Sequence, residues 1–449
     1  MPSFVKDTGF TALTRVVSRV FGLLSTVLLA RLLGPSGNGY YTLALLFAST
    51  AVALLNFGLS PTTIYYIARG KHAHGQILGH LFLFNGFVAG LATLVGWGIV
   101  EYLRADLFPQ VPHTTLLLAI LVIPGIFSFR FFQSAILGLQ RFDLYNFGQA
   151  FWAFAHFLLL GVAVALLKTG VAGAVVAEAV SWGVGAALFF YWTKKSVPQW
   201  SFRFDAALVK GIASYSVQSY LGNILAFFNY RADLFLINIF EGPTAVGVYS
   251  IASGLSERLW LVSQTASTVL LPRVSASEDP EWEKRFTPLV TRTVLLIVLP
   301  AALVLGGLAH PLVKILYSDA FLGAVRPLQI LLIGIVASSL SGILAHDIAG
   351  RGYPLLNTYT SALSLVVNVG LNLVLIPRWH IAGAAVASAA SYTVLLLAKL
   401  IIYRHLSGNS WKEVMLSRKD DWRLYRETIA KILGYVRGLI FTQNNTEEL

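Results

Sequence analysis

The sequence predicts an all-α polytopic membrane protein with twelve transmembrane helices in two six-helix lobes. Its 449 residues are 56% hydrophobic and only 12% charged, with a mean hydropathy of +0.70, so polar residues cannot cover the apolar ones in water. Apolar runs of about 20 residues, the length that a helical span needs, recur along the chain. Two motifs also recur at nearly one spacing, which indicates a duplicated unit.

The first repeated motif is Gly-Pro-x-x-x-Gly-x-Tyr. It runs from Gly34 to Tyr41 and again from Gly242 to Tyr249, 208 residues later. The second motif, Val171–Trp182, recurs 210 residues later as Ile381–Tyr392. Among the residues that it shares with its copy are Gly173, Ala174, Val176, Ala177, Ala179 and Ser181. Two matches this far apart indicate that the two halves of the chain are copies of one unit.

The predicted spans fall six in each half. They lie near residues 10–33, 40–68, 77–101, 114–138, 146–167, 171–193, 208–240, 245–271, 287–309, 326–349, 354–376 and 381–403. Because an even number of spans separates the two Gly-Pro loops, both loops should emerge on the same membrane face. The halves are then parallel repeats about a pseudo-two-fold axis along the membrane normal, and they enclose a central cavity.

We therefore expect an N-terminal lobe at residues 1–205, a C-terminal lobe at 206–404 and a cytoplasmic tail at 405–449. In the tail, residues 420–441 place apolar side chains on one helical face and basic ones elsewhere. This pattern predicts an amphipathic helix on the cytoplasmic membrane surface. A soluble tail is the alternative.

The positions of the 33 Lys and Arg residues predict the orientation. If the N-terminus lies inside, most of them fall in cytoplasmic loops and in the tail. The opposite side receives Arg31, Arg104, Lys168, Lys314, Arg326 and Arg378. By the positive-inside rule both termini are then cytoplasmic. The net charge of +12 is therefore first a topology signal, and we expect no nucleic-acid partner.

Several kinds of chemistry lack the residues they need. The chain has no cysteine, which excludes disulfides, thiol catalysis and thiolate metal sites. It has no Gly-x-x-x-x-Gly-Lys-Ser/Thr loop for ATP phosphates, and no pattern of a nucleophile with its base. We therefore expect neither an enzyme nor a metal or cofactor site.

Basic residues inside the predicted spans are candidate functional residues, because burying a charge in lipid is costly. Among them we single out Arg15, Arg19, Arg130, Arg231 and Arg258. Arg15 and Arg19 lie one helical turn apart, where a shared anionic ligand would remove their mutual repulsion. The alternative for this pair is snorkelling to lipid headgroups. For the deeper arginines, the alternative to a ligand is an ion pair with an acid of a neighbouring helix.

Acidic residues inside the spans form a second group of candidates. Glu178, Asp233 and Asp347 could each bind a coupling cation or proton, and pairing with the arginines explains them equally well. For the tyrosines that end the two Gly-Pro motifs, Tyr41 and Tyr249, we expect a structural role as anchors at the membrane interface.

Five segments in both halves of the chain resemble a known family. They are Ala30–Ala44 (ARLLGPSGNGYYTLA), Asn56–Ser60 (NFGLS), Gly138–Phe142 (GLQRF), Asn368–Pro377 (NVGLNLVLIP) and Ile381–Ser388 (IAGAAVAS). Their order and content resemble the polysaccharide transporter family, which includes the Wzx-type O-antigen flippases. That family belongs to the multidrug/oligosaccharidyl-lipid/polysaccharide exporter superfamily. The resemblance extends from Phe10 to about Arg404.

The resemblance implies a MATE-like fold and a flippase for a polyprenyl-diphosphate-linked oligosaccharide. Such a flippase moves an O-antigen or exopolysaccharide repeat unit, as in lipopolysaccharide assembly, across a bacterial or archaeal cytoplasmic membrane by alternating access. It also implies cavity arginines that bind the diphosphate, a role that we assign to the five arginines from their positions in this chain. The expected partners are membrane lipids, polysaccharide polymerases and glycosyltransferases, and the expected functional unit is a monomer.

Three alternatives stand beside this hypothesis. A lipid II flippase usually has two further C-terminal spans, and none follows Arg404. A multidrug exporter takes organic cations and needs an acidic cavity, whereas arginines outnumber acids in these spans. A membrane glycosyltransferase or polymerase needs a larger outer loop than residues 103–113 or 310–325 provide. The sequence leaves the glycan and the coupling ion open.

Overall fold

The protein is described by a computed structural model over residues 2–69, 73–203, 205–275, 279–416, 421–422 and 426. These residues form helices joined by short turns. In chain order the helices are α1 Pro2–Leu55, α2 Leu59–Arg69, α3 His74–Tyr102, α4 Arg104–Leu107, α5 His113–Ile120, α6 Val122–Gly138, α7 Phe142–Leu160, α8 Gly170–Ser196, α9 Ala206–Glu241, α10 Pro243–Ser256, α11 Trp260–Ser275, α12 Pro280–Gly307, α13 Ala309–Tyr317, α14 Val325–Gly350, α15 Pro354–Ser407 and α16 Trp411–Met415. A π-helical turn, Gly161–Leu166, extends α7, and 3₁₀ turns lie at Glu257–Leu259 and Asp319–Ala324.

Eight helical segments of the described chain are long and apolar enough to cross a membrane. They are Val16–Leu55, His74–Tyr102, His113–Gly138, Phe142–Leu166, Gly170–Ser196, Glu281–Gly307, Asp319–Gly350 and Pro354–Ser407. The first and last are each broken by one non-helical residue, Gly34 and His380, so each comprises two helices. The predicted class, an all-α multi-pass membrane protein, is confirmed. The count of twelve stays a prediction, because the predicted spans near 208–240 and 245–271 are not among the eight.

Two of the predicted spans contain a three-residue break between α-helices, which the hydropathy pattern did not predict. Helix α1 ends at Leu55 and α2 begins at Leu59, with positive φ angles of 44° at Phe57 and 70° at Gly58. In the second half, the 3₁₀ turn Glu257–Leu259 separates α10 from α11. Apolar residues continue around both breaks, so a hydropathy window does not register them. Non-helical backbone at membrane depth is tolerated where protein or a cavity surrounds it.

The two Gly-Pro motifs lie against each other. Gly34 and Gly242 adopt nearly the same extended conformation with positive φ, at (66°, −177°) and (79°, −175°), and each places a proline at the start of the next helix. A Cβ atom at Gly39 would lie 1.7 Å from the carbonyl oxygen of Pro243, and one at Gly247 would lie 1.9 Å from that of Pro35. The second glycine of the motif is therefore required by this reciprocal backbone contact.

The chain divides into two compact units. The first comprises Met1–Glu257, Leu305–Gly334 and Ser361–Ser391. Its core is rich in aromatic rings around Phe129, whose centroid lies 4.9 Å from that of Trp182 and 5.3 Å from that of Phe189 in edge-on geometry. Such edge-to-face pairs add to the stabilisation from apolar burial.

The second unit comprises Arg258–Val304, Ile335–Thr360 and Tyr392–Leu449. Its aliphatic core includes Leu270, Val298 and Leu344. Near its C-terminal end, Arg292 donates to Asp421 through Nε at 2.6 Å and through Nη2 at 2.9 Å. Both side chains are buried, so this ion pair attaches the chain beyond α16 to α12. Nearly all of the predicted amphipathic segment 420–441 lies outside the described residues, and the predicted lobe boundaries stay predictions.

Candidate functional site

A polar cavity in the first unit contains Arg130. Its volume is about 480 Å³. Its walls come from α6, from the break that follows α1, and from α2, α7 and α9. The lining residues are Ala53, Asn56, Ser60, Pro61, Ile64, Arg130, Gln133, Ser134, Leu137, Tyr145 and Phe227.

Two hydrogen-bond donors in this cavity have no acceptor among the described residues. Arg130 is exposed to the cavity, and its guanidinium contacts no described carboxylate. One turn along α6, the Nε2 of Gln133 is buried and donates to no described atom. A guanidinium offers five N–H donors and stays charged at any pH of interest. The cavity therefore presents a positive charge and several free donors, which complement an anion with several oxygen atoms.

The break between α1 and α2 forms part of the cavity wall. Asn56 lines the cavity, and its carbonyl oxygen accepts a 3.0 Å hydrogen bond from the amide of Leu59, which starts α2. The Oγ1 of Thr62 lies 2.8 Å from the Oγ of Ser216, and this contact connects α2 to α9. The N-F-G-L-S segment that carries part of the family resemblance is thus a wall of the Arg130 cavity.

The other four predicted arginines have different surroundings. Arg231 forms a bidentate ion pair with Glu257, at 2.9 Å and 3.2 Å. Arg258, partly buried, begins the second unit. Arg19 is exposed on α1, and the side chain of Arg15 lies outside the described part of the structure. Within the described residues, Arg130 is the one member of this group that lines the polar cavity.

The first acidic candidate, Glu178, is buried in α8 and accepts several hydrogen bonds. Tyr41 donates to its Oε2 at 2.8 Å, and the Nε1 of Trp182 donates to its Oε1 at 2.7 Å. The Nδ1 of His156 lies 3.1 Å from Oε2 and 3.2 Å from the Oγ of Ser181. This carboxylate therefore has a histidine, not an arginine, as its titratable neighbour, together with the tyrosine.

The second acidic candidate, Asp233, is buried in α9 and also binds a motif tyrosine. Tyr249 donates to its Oδ2 at 2.6 Å, and Ser388 donates to the same oxygen at 3.2 Å. Its Oδ1 accepts from the amide of Leu234 at 2.8 Å. Tyr41 and Tyr249 are 7% and 0% exposed, so the expectation that they anchor at the membrane interface is wrong. Each instead binds a buried acid, which a tyrosine can do because its hydroxyl is a donor.

The third acidic candidate, Asp347, belongs to an ion-pair network in the second unit. Thr287 donates to its Oδ1 at 2.6 Å, and Arg351 donates to its Oδ2 at 2.6 Å. Arg351 also lies 2.7 Å from Glu283. Burial lowers the pKa of Arg351, but the hydrogen bond to Asp347 and the charges of both acids outweigh it, so that the net shift is upward. Asp347 is therefore paired with an arginine, which is one of the two alternatives that the sequence left open.

Sequence reasoning missed several residues that these sites contain. Gln133 and Tyr145 line the Arg130 cavity, and His156 contacts Glu178. A neutral amide or a lone histidine in an apolar run carries too weak a signal to be singled out. Lys399 was also missed. It is only 5% exposed within α15, and it contacts no described carboxylate.

The chain matches the model of one known protein family. A family model described as "Polysaccharide biosynthesis protein" matches residues 28–326, more than half of the chain. The chain belongs to this family. The matched residues include the first Gly-Pro motif, the lining of the Arg130 cavity, and the two pairs of a motif tyrosine with its buried acid. Ser388, which also donates to Asp233, lies beyond the match. The predicted membership of a polysaccharide transport family is therefore confirmed.

Two relatives of this family member carry names of transport proteins. A Shigella flexneri protein named as an O-antigen transporter is 25% identical over 402 residues, which cover 86% of this chain and 94% of the relative. A Haloferax volcanii protein named as a flippase of low-salt glycan biosynthesis is 24% identical over 410 residues, or 86% of this chain and 82% of the relative. These names agree with the prediction that the chain is a transporter and not an enzyme.

Among solved structures, the fold is similar to that of the lipid II flippase MurJ in an inward closed conformation. The TM-score is 0.74, and the likeness covers 97% of this chain and 99% of the flippase at 15% identity. At this identity the likeness concerns the fold alone. The two chains therefore share one fold over nearly their whole length.

Proposed function

We propose that this protein is a flippase that moves a polyprenyl-diphosphate-linked oligosaccharide, an O-antigen or exopolysaccharide repeat unit, from the inner to the outer leaflet. The observation that carries the proposal is the Arg130 cavity. It combines an arginine that has no described acidic partner with a buried, unpaired amide donor at Gln133. A diphosphate supplies the oxygens that these donors lack, and charge-assisted hydrogen bonds to phosphate are among the strong ones.

The remaining arginines take secondary roles in this proposal. Arg231 already holds Glu257, so a diphosphate reaches it only by displacing that carboxylate. Arg15, Arg19 and Arg258 stay candidate contacts before or after Arg130. A substrate that passes from one arginine to the next has to bind each with comparable strength, because very tight binding in one state would trap the transporter there.

Alternating access needs an energy source, and the buried acids are the candidates for it. Of the three, Glu178 fits a proton best, because His156 lies 3.1 Å from its carboxylate and can share a proton with it. Within the described residues, Asp233 accepts hydrogen bonds from two hydroxyl groups and one backbone amide, and Asp347 is held by Arg351. We assign the coupling role to Glu178 with His156 and structural roles to the other two acids.

The remainder of the proposal concerns architecture and location. The twelve spans form two six-helix lobes in the cytoplasmic membrane, with both termini cytoplasmic, as the distribution of Lys and Arg indicates. A multidrug exporter of organic cations is disfavoured, because the polar cavity carries a cation of its own. The contact of Pro35 with Gly247 supports placing both Gly-Pro loops on one membrane face.

The test is translocation of a lipid-diphosphate oligosaccharide by purified protein in vesicles. Arg130→Ala should reduce the rate by about tenfold to a hundredfold, since one charge-assisted contact contributes about 1.5 to 3 kcal/mol. Arg130→Lys should retain part of the activity, because it keeps the charge but loses the fork geometry. The control is Arg141→Ala, which removes an exposed arginine paired with Asp143 outside the cavity. Equal rates for Arg130→Ala, Arg141→Ala and wild type would refute the proposal.

A further inference from the structure

A second cavity in the first unit is apolar throughout. Its volume is about 480 Å³, and only carbon atoms face it. The walls come from the second part of α1, from α3, α9 and the segment around Phe108. Its lining residues are Phe47, Thr50, Ala51, Leu54, Leu55, Val95, Ile99, Leu107, Phe108, Phe228, Ala232, Phe235, Leu236, Ile239 and Val369. The hydroxyl of Thr50 donates to the carbonyl oxygen of Leu46 at 2.6 Å, so it does not make the surface polar.

The apolar cavity and the Arg130 cavity have two walls in common. Ala53 of α1 and Asn56 of the break after it line the polar cavity, whereas Leu54 and Leu55 of α1 line the apolar one. The same division recurs on α9, where Phe227 lines the polar cavity and Phe228 the apolar one, with their ring centroids 5.5 Å apart. Two helices thus form a wall of both cavities, and adjacent aromatic rings mark the boundary between them.

We propose that the apolar cavity receives the first part of the isoprenoid chain of the lipid carrier while Arg130 holds its diphosphate. This inference rests on the proposed function and adds a binding site for the apolar half of the substrate. A diphosphate bound at Arg130 lies inside the protein, and the covalently attached chain must begin there too. The apolar cavity, which shares two walls with the Arg130 cavity, is the space that we assign to the start of this chain.

The size and surface of the cavity suit such a chain. An apolar cavity of about 150 Å³ holds a benzene-sized ligand, so one of about 480 Å³ has room for on the order of fifteen carbon atoms. That length corresponds to the few isoprene units nearest the diphosphate, while the rest of the chain lies in the bilayer. The rim residues Leu54 and Ile239 are 36% and 50% exposed, which leaves a way out for the chain.

The energetics set the size of the expected effect. Moving an isoprenoid from lipid into the protein gains little hydrophobic free energy, because lipid tails are as apolar as the cavity. The gain comes instead from close packing of the chain against the cavity wall. In apolar pockets, one well-placed group changes binding by about tenfold or more. Filling the cavity should therefore weaken binding of the full substrate without changing the binding of the diphosphate alone.

The experiment compares two probes on the full chain in lipid nanodiscs. One is a long polyprenyl diphosphate with a photoreactive diazirine in its isoprenoid chain, and the other is inorganic diphosphate as its competitor. Ala232→Phe, which fills the cavity, should lower photolabelling by about tenfold and leave competition by inorganic diphosphate intact. The matched control is Ala165→Phe, the same substitution at an exposed position of a spanning segment.

The outcomes separate this inference from the proposed function. If Ala232→Phe labels as strongly as Ala165→Phe, the isoprenoid does not occupy the cavity. If a diazirine-bearing diacyl phospholipid labels Phe228 and Leu54 as well as the polyprenyl probe does, and inorganic diphosphate displaces neither, the occupant is bulk lipid and the inference fails. If Arg130→Ala leaves diphosphate competition unchanged, the proposed function fails instead. If Ala232→Phe does not fold, the labelled residues are mapped in the wild-type protein. Labelling of the cavity-lining residues by the polyprenyl probe then supports the inference, and labelling only elsewhere refutes it.

Discussion

The two halves of the molecule build the same buried site with the acid in different places. The motif tyrosine donates to Glu178 in the first half and to Asp233 in the second. At the repeat spacings, the position of Glu178 is occupied in the second half by Ser388, and the position of Asp233 in the first half by Ser25. By sequence position, the acid and the serine are exchanged between the two halves, and the motif tyrosine donates to the acid in both. What both copies preserve is an acceptor for the tyrosine hydroxyl.

A further difference distinguishes the two sites. In the first half His156 lies near both Glu178 and Ser181, and in the second half Asn368 donates to the equivalent pair, Ser388 and Ser391. An asparagine can only donate and accept fixed hydrogen bonds, whereas a histidine can take up a proton near neutral pH. The comparison teaches that one scaffold carries an asparagine contact in one half and a histidine–carboxylate contact in the other.

The largest expected effect is the loss of the first-half acid. Glu178→Ala would leave the buried donors of Tyr41 and Trp182, together with the contact to His156, without their acceptor. We expect destabilisation by about 3 to 5 kcal/mol, since each unsatisfied buried donor costs about 1 to 3 kcal/mol. Thermal unfolding in detergent measures it. Glu178→Gln is the control, because it keeps the shape and one acceptor and should lose clearly less; equal losses would contradict the hydrogen-bond account.

Exchanging the acid and the serine tests whether the two sites are equivalent. Glu178→Ser combined with Ser25→Asp converts the first-half site to the second-half pattern. The Oγ of Ser25 is buried and has no partner among the described residues, so a carboxylate at this position tests whether it reaches the hydroxyl of Tyr41. We expect the double variant to recover about 1 to 3 kcal/mol over Glu178→Ser alone, as groups in contact do in a double-mutant cycle. Strictly additive losses would show that the two positions do not share a site.

Replacing the histidine tests the difference between the sites. His156→Asn gives the first half the residue type of the second, and a stability change of about 1 kcal/mol is expected for one altered buried hydrogen bond. If Glu178 and His156 bind the coupling proton, transport by this variant should lose its response to an imposed proton gradient. Vesicle transport with and without the gradient measures this response. Asn368→His is the matched control, and an unchanged response in His156→Asn would refute the coupling assignment.

The smallest effect concerns the turn before the sixth helix of each half. Gly170 has a φ of 65°, and its counterpart at the spacing of the second motif, His380, has a φ of 54°. A non-glycine residue in this region costs about 1 to 3 kcal/mol, and a glycine adds about 0.4 to 1 kcal/mol of unfolded-state entropy. In the 3.2 Å contact of His380 with Glu241, the histidine side chain is 76% exposed, so we expect the contact to contribute little. His380→Gly should therefore raise stability by about 1 kcal/mol, whereas Gly170→Ala should lower it.

The sequence predicted the features that depend on the residues of one segment or on identical residues at a fixed spacing. Apolar runs indicated the membrane class, and identical residues at two spacings indicated the repeats. The break at residues 56–58 was not predicted, because a hydropathy average passes over three residues. The ion pair of Arg231 with Glu257 was one of two open alternatives, since pairing depends on the register of two helices. The alignment of Ser25 with Asp233 was not noticed, because the repeats were found by looking for identical residues. Two aligned positions that hold different residues give no such signal.

The reciprocal contact of Gly39 and Gly247 has a consequence for the origin of the molecule. Gly39 faces the carbonyl of Pro243, and Gly247 faces the carbonyl of Pro35, so the glycine of each copy touches the proline of the other. A surface that meets itself in this way is isologous, the arrangement found in homodimers with two-fold symmetry. A single half-length ancestor could make the whole contact with one glycine and one proline. Its fusion into a tandem gene would keep the dimer interface inside one chain, where either glycine alone can no longer vary without the other copy's backbone giving way.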